Sequence, residues 1–215
     1  MKPLTGIVHV VDDDASFRTA VERRLKQAGY QVLTYSSAQQ LLDRVPEGNE
    51  LGCILLDVRL PGLSGPELQG RLGELGSTMP IVFLSGHGDI PTAVRAIKAG
   101  AEEFLTKPVS SEQLLHAVER ALAHHETLLG QRHRMESVRA HIAKLTPRER
   151  QVFDLIVRGK INKQIAYELG TTERTVKAHR QQVMEKAKVH SLAELVSIAE
   201  RLSLLSQSPE PDDRG

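Results

Sequence analysis

CILLD, residues 53–57, is the stretch whose reading decides the fold. Four apolar residues run together without polar alternation, stop on an acid, and give way to a Pro61-Gly62 loop. A strand with no polar face is covered on both sides, as in a parallel sheet between layers of helices. The same pattern repeats outward from this run. Ile7 to Val11 is a short apolar run ending abruptly in Asp12-Asp13-Asp14, and Gln31 to Tyr35 reads as a second strand. Beyond CILLD, Pro80 to Leu84 is the fourth strand and Glu103 to Thr106 the fifth. Between them lie helical stripes with apolar residues three or four apart. Phe17, Val21, Leu25 and Ala28 form one, stopped by Gly29, and Leu68, Leu72 and Leu75 form another. Val94 and Ile97 lead to Gly100, and Leu114, Leu115, Val118 and Leu122 close the series. Right-handed crossovers leave few topologies for such a series. The expectation is an α/β domain over residues 1–122, a five-stranded doubly wound parallel sheet of flavodoxin-like order 2-1-3-4-5. Ligands of such sheets bind at the carboxyl ends of the strands, where strands one and three meet. Both acidic clusters fall there.

The helical pattern continues past residue 122 through Leu128, Leu129, Met135, Val138 and Ile142. Only Gly130 interrupts it, at a cost of about 1 kcal/mol relative to Ala. Residues 110–143 therefore read as one helix, of which 123–143 form a helical linker. Its histidines, His116, His124, His125, His133 and His141, lack a second ligand type and read as solvated surface. A second domain over 144–205 opens on the capping box Thr146-Pro147-Arg148-Glu149. Val152, Leu155 and Ile156 follow, up to Gly159. Asn162 is expected to cap the next helix, Thr172 a third of about fifteen residues, and Ser191 a fourth. Short helices with a Gly-containing turn between the second and third make a separate all-α helix-turn-helix unit. The tail 206–215, SQSPEPDDRG, has no apolar face and is expected to be disordered.

Composition narrows the classes. No window approaches the roughly 18 uninterrupted apolar residues of a membrane span, and three acids come too early for a secretory signal. The one cysteine, Cys53, sits in an apolar run and reads as a buried free thiol, which leaves out disulfides and cysteine metal sites. These points indicate the cytoplasm and no membrane partner. The net charge of +1 hides an asymmetry. Residues 1–119 hold 11 Lys/Arg against 15 Asp/Glu, whereas residues 144–203 hold 12 against 7. A polyanion would meet the second half rather than the first.

The predicted topology brings Asp12 to Asp14, Asp57, Ser85 and Lys107 to one rim. Clustered carboxylates repel and need a compensating cation. Mg²⁺ takes oxygen ligands and can carry phosphate oxygens, and Lys107 can neutralise another. A carboxylate so placed is a plausible nucleophile toward phosphorus.

The motifs VVDDD, LLDVRLPGLSG, PIVFLSGHGD and AIKAGAEEFLTKP, with their spacing, resemble the receiver domain of bacterial response regulators. LTPRERQVFDLI followed by GKINKQIAYELGTTERTVKAHRQQVMEKAKVHSLAEL resembles the LuxR-type output domain. Together they identify the chain as a member of the FixJ/NarL family. That resemblance implies that Asp57 accepts phosphate from a sensor histidine kinase. Asp13 would bind Mg²⁺ directly, Asp12 mainly through water, and the Arg59 carbonyl would supply a further ligand beside Asp57. Ser85 and Lys107 would contact the phosphoryl group, and Phe104 would turn inward as the switch aromatic, where many relatives have Tyr. The Lys107–Pro108 bond is expected to be cis.

In the recognition helix, Arg174, Lys177, His179 and Arg180 are basic residues of the first half, the half that meets base edges in the major groove. Lys177 and Gln181, with Ala178 nearby, are the expected base readers. Thr175 and His179 would hold phosphates, assisted by Lys160 and Lys163. One such domain reads few bases, so a phosphorylation-dependent homodimer on double-stranded promoter DNA is expected, the switch acting through the face near Val94, Arg95, Lys98 and Phe104. RNA polymerase is the expected further partner, and family analogy favours an activator. The chain is not expected to be an enzyme. Two rivals remain: a phosphohydrolase with Asp12 as nucleophile, and a DNA-binding protein indifferent to phosphate.

Overall fold

The computed structural model describes residues 6–44, 50–86 and 90–206, the side chains of 201–206 excepted. The chain divides into two compact units, Met1–Gly130 and Gln131–Gly215.

In the first unit, β1 (Ile7–Val11), β2 (Gln31–Tyr35), β3 (Gly52–Asp57), β4 (Ile81–Ser85) and β5 (Glu103–Thr106) form one sheet of order β2-β1-β3-β4-β5. Every pairing is parallel. Helices α1 (Ala15–Gln27), α2 (Ala38–Leu42), α3 (Gly65–Glu74) and α4 (Ile90–Lys98) connect the strands, and α5 (Ser111–Ala143) follows. Alternate residues of each strand serve two cores. Val8, Val10, Cys53, Leu55, Val82 and Leu84 pack with α1 and α5 through Val21, Leu25, Val118 and Leu122. Val11, Ile54, Leu56, Ile81 and Phe83 pack with α2, α3 and α4 through Leu41, Leu68, Leu72 and Ala96. Burial on both faces is what an unbroken apolar strand such as CILLD requires. Cys53 is buried and free, and burial pushes its thiol up to about 12.

Several expectations need correction. Strand three begins one residue before the expected run, at Gly52, and strand four begins one residue later than expected, at Ile81. Leu75 closes α3 and is exposed, because the helix ends there before turning onto Gly76. Val94 and Ile97 are half-exposed on α4, and Ala96 alone of that helix is buried. The five-residue α2, capped by Ser37, carries too short a pattern to show as periodicity. His125 is not solvated: it is buried, accepting the Gly52 N–H on Nδ1 at 3.1 Å and lying 3.4 Å from the Thr78 hydroxyl on Nε2. His124 is exposed as expected, with its Nδ1 2.6 Å from the Glu102 carboxylate. The helix is unbroken through Gly130, and Leu129 is buried.

In the second unit the end of α5 contributes Val138 and Ile142 to a core shared with α6 (Pro147–Val157), α7 (Asn162–Glu168), α8 (Glu173–Ala187) and α9 (Leu192–Ser206). Its centre is Val152, Ile165, Val176, Val183 and Leu195. The capping box forms as expected: Glu149 accepts from the Thr146 N–H at 2.7 Å while its own N–H donates to the Thr146 hydroxyl. Asn162 does not cap α7. It is the first helical residue, and the preceding Ile161 N–H donates to the Gln164 side chain at 3.0 Å. Thr172 caps α8, accepting the Thr175 N–H at 3.2 Å. The tail expectation concerns residues that from 207 onward lie outside the described ones.

Candidate functional site

Four strand ends make one rim. Val11 pairs with Leu56, so Asp12 and Asp57 follow side by side just beyond. Asp57 pairs with Leu84, and Ser85 with Thr106, which carries Lys107 to the same edge. The Lys107 ammonium lies 2.5 Å from Asp12 Oδ2 and 2.9 Å from Asp57 Oδ1. Its backbone N–H donates to the Ser85 carbonyl at 2.7 Å, tying β4 and β5 together where the site begins. The Lys107–Pro108 bond is cis. Each remaining carboxylate oxygen has a backbone donor: Asp12 Oδ1 takes the Asp14 N–H at 2.9 Å, and Asp57 Oδ2 takes the Arg59 N–H at 3.2 Å.

Asp12 is wholly buried and Asp57 is 7 % exposed, so both charges depend on such partners. Burial still raises the Asp57 carboxyl above the usual range. The Lys107 hydrogen bond and charge and the Arg59 amide pull it down, while Asp12 pushes it further up. Burial works against the Lys107 ammonium too, but the Asp12 and Asp57 carboxylates outweigh it and hold its proton more tightly than usual.

Ser85 is buried at the rim, and Phe104 is half-buried with its ring 6.2 Å from that of Phe83. Asp13 is exposed. Among the described residues no three His, Cys, Asp or Glu side chains gather closely enough to hold a metal as they stand. The chemistry of the rim nevertheless fits a hard divalent cation. Its donors are all oxygens (Asp12, the neighbouring Asp13, Asp57 and the Arg59 carbonyl), and one ammonium faces two buried carboxylates.

Two residues at this rim have tasks that the sequence did not reveal. Asp14 is the N-cap of α1, accepting from the Ser16 and Phe17 N–H groups at 2.8 and 3.1 Å, which gives the third acid of the run a structural task. Gly65 sits under the Asp57 loop: a Cβ there would lie 2.4 Å from the Asp57 carbonyl oxygen and 2.9 Å from the Phe83 ring. The glycine of LSG could have been suspected only by asking what packs beneath Asp57.

In the second unit, Val176, Val183 and Ala187 turn one side of α8 inward. At 100° per residue, Arg174, Ala178 and Gln181 take the opposite side, with Thr175 and Lys177 flanking it. All five are exposed, while His179 and Arg180, nearer the core, are half-buried. The Thr175 hydroxyl lies 2.9 Å from that of Thr172, within the cap. Lys163 is exposed, and Lys160 is paired with Glu168 at 3.0 Å. A half-exposed pair of that kind contributes about 0–1 kcal/mol, little enough for a polyanion to displace. Lys186 joins α8 to the α6 capping box, its ammonium 2.8 and 2.7 Å from the two Glu149 carboxylate oxygens.

Comparison with known proteins agrees with both halves. Residues 8–119 match the response regulator receiver domain, and residues 143–199 match the bacterial regulatory proteins of the luxR family. The chain belongs to the FixJ/NarL-type response regulators, transcription regulators that join a receiver domain to a LuxR-type DNA-binding domain. It is 42% identical over 202 residues to the response regulator protein TodT of Pseudomonas putida, covering 94% of this chain and 88% of that one. It is 40% identical over 201 residues to the transcriptional regulatory protein FixJ of Bradyrhizobium diazoefficiens, covering 94% and 98%. Among solved structures, the response regulator StyR is similar at 45% identity with a TM-score of 0.78, covering 91% of this chain and 98% of StyR. Full-length FixJ from B. japonicum gives 40% identity and 0.56, covering 93% and 98%.

Proposed function

We propose that Asp57 accepts a phosphoryl group from a sensor histidine kinase, and that this change of charge promotes pairing of two chains and their sequence-specific binding to promoter DNA, with activation of transcription through RNA polymerase in the cytoplasm. The observation that carries the reading is the single ammonium, Lys107, set between two buried carboxylates at the carboxyl ends of β1 and β3. An oxygen of Asp57 attacks phosphorus, and the new O–P bond forms as the donor's P–N bond breaks. The electron pair stays on the donor imidazole, which takes up a proton. Lys107 is then in reach of the added oxygens, and the Ser85 hydroxyl stands at the next strand end to donate to another. A Mg²⁺ held by Asp12, Asp13, Asp57 and the Arg59 carbonyl would neutralise charge on the transferred group.

The unphosphorylated rim holds Lys107 on Asp57. Once the phosphoryl oxygens take over those contacts, Ser85 is drawn toward them and Phe104 can turn inward beside Phe83. This alters the adjoining α4 face, where Ile90, Val94 and Ile97 are 75 %, 46 % and 47 % exposed. Such an apolar cluster on a surface helix suits a second copy of the chain. In DNA binding, Arg174, Lys177, Ala178 and Gln181 enter the major groove, and Thr175, His179, Arg180, Lys160 and Lys163 meet the backbone. The outward turn of Arg174 adds it to the expected base readers, and the half-burial of His179 and Arg180 limits those two to phosphates.

Incubation with a radiolabelled phosphodonor and Mg²⁺, followed by mapping of the labelled peptide, tests this reading. The label is expected on Asp57 and absent from Asp57→Asn. A label on Asp12, with steady turnover of small phosphate esters, would favour a phosphohydrolase instead.

A further inference from the structure

An aromatic ring stands beside the cation of the rim. Lys107 Nζ stands 4.1 Å from the centroid of the Phe17 ring, so the ammonium is held on two sides by carboxylates and on a third by an aromatic face. That distance is well inside the roughly 6 Å over which a ring attracts a cation. Phe17 is fixed where it stands by the rim itself. Its N–H donates to the Asp14 carboxylate at the start of α1, and the next residue, Arg18, donates from its guanidinium to the Asp12 carbonyl at 2.5 Å. The ring is half-buried against the core of the first unit. A lysine ammonium ends four rotatable bonds and has no fixed position of its own. Two carboxylates alone attract it without deciding which oxygen it favours.

We propose that Phe17 is a positioning residue: its ring fixes the Lys107 ammonium over Asp57 and so governs how fast Asp57 takes up a phosphoryl group. The inference rests on the functional reading above, with Asp57 as the acceptor. It adds no chemical step. With acetyl phosphate as donor, the Asp57 oxygen forms its bond to phosphorus as the donor's P–O bond breaks and acetate leaves with the electron pair. Phe17 acts only through the cation that meets the phosphoryl oxygens.

Two measurements on the full chain test it. In the magnesium-free protein, the proton resonances of the Lys107 ε-methylene report the ring current of Phe17. With magnesium, the rate of Asp57 labelling by acetyl phosphate reports positioning. Phe17→Leu is expected to move the Lys107 resonances downfield and to slow labelling roughly 2- to 30-fold, the range a lost cation–π contact spans. Phe17→Trp is expected to keep both the upfield shift and the rate, since an aromatic face rather than apolar volume is what the site uses. Should Phe17→Leu fail to fold, Phe17→Met supplies the flexible apolar control. Labelling of Phe17→Leu at the wild-type rate overturns the proposal, as does equal slowing in Leu and Trp variants, the mark of packing alone. A wild-type chain labelled elsewhere than Asp57 overturns the functional reading, and with it this one. That failure is distinguishable, because it appears before any variant is made.

Discussion

At the scale of single residues, the rim depends on side chains that do no chemistry, and Gly65 is the sharpest case. Its missing Cβ leaves room for the Asp57 carbonyl oxygen, which any other residue would meet at 2.4 Å. Neither the backbone of β3 nor the Phe83 ring beside it can yield cheaply, because both are buried. Gly65→Ala is expected to cost about 1–3 kcal/mol of stability as an overpacked site and to slow labelling of Asp57 by displacing its loop. Denaturant unfolding and phosphodonor labelling measure the two effects. His9 offers a prediction in pH. It is buried on β1 with Nδ1 3.0 Å from the Tyr35 hydroxyl, and its Nε2 has no hydrogen-bond partner among the described residues. Burial lowers its pKa from 6.5 to about 4. The unfolded chain therefore binds this proton first as pH falls. Stability is complete above about 6.5 and drops toward pH 4, by something on the order of 3 kcal/mol. His125, its pKa lowered chiefly by burial, adds loss in the same direction. His9→Phe, which keeps a ring to stack on Tyr35, is expected to flatten the acid limb of a stability–pH curve. An unchanged limb would assign the acid sensitivity to other groups.

At the scale of elements, the ion pair between Lys186 on α8 and Glu149 on α6 links the recognition helix to the first helix of its unit. Glu149 is nearly buried, and the Lys186 and Thr146 hydrogen bonds hold its carboxyl below the usual range. Lys186→Met keeps the stem and removes the charge. It is expected to cost about 1.5–3 kcal/mol, the scale of a hydrogen bond to a charged group, visible as a lower unfolding midpoint and weaker DNA binding as α8 loosens. A variant as stable as the parent would make the pair incidental. Elements also show what the sequence could and could not convey. The three central strands, β1, β3 and β4, were legible because burial on both faces forces unbroken apolar runs, whereas the edge strands β2 and β5 are only partly buried. The rim was legible because β1, β3, β4 and β5 lead to Asp12, Asp57, Ser85 and Lys107. Caps at Thr146 and Thr172 were legible from local chemistry alone. Long-range facts were not. Nothing in AHHE marks His125 as the acceptor for Gly52, 73 positions away, and a stripe such as Val94 and Ile97 reads alike whether it meets a core or solvent. Phe17 likewise looks like one more core residue until Lys107 is found over its ring.

At the scale of the whole molecule, the charges of the two halves divide the work. The acidic first half gathers carboxylates where a phosphoryl group and a divalent cation would be received. The basic second half carries the excess positive charge that a phosphate backbone attracts. Phosphorylation of Asp57 would replace one negative charge with about two, a net change of about −1 at one residue of the first half, too little to change the long-range attraction of the second at physiological salt. On the proposed reading, control comes from a shift in population, in which the phosphorylated state favours the DNA-competent pair. Coupling of that kind is worth about 1–3 kcal/mol, a 5- to 150-fold change in affinity. The wild-type chain with a phosphodonor and Mg²⁺ is accordingly expected to bind its operator 5- to 150-fold more tightly than Asp57→Asn. The two should differ little in the steepness with which affinity falls as salt rises, because the phosphates contacted per chain are the same. Fluorescence anisotropy titrations at several fixed salt concentrations would read both quantities. Equal affinities with and without the phosphodonor would leave a DNA-binding protein whose receiver does not govern it, and a changed salt slope would mean that phosphorylation alters the DNA contacts themselves rather than the population that makes them.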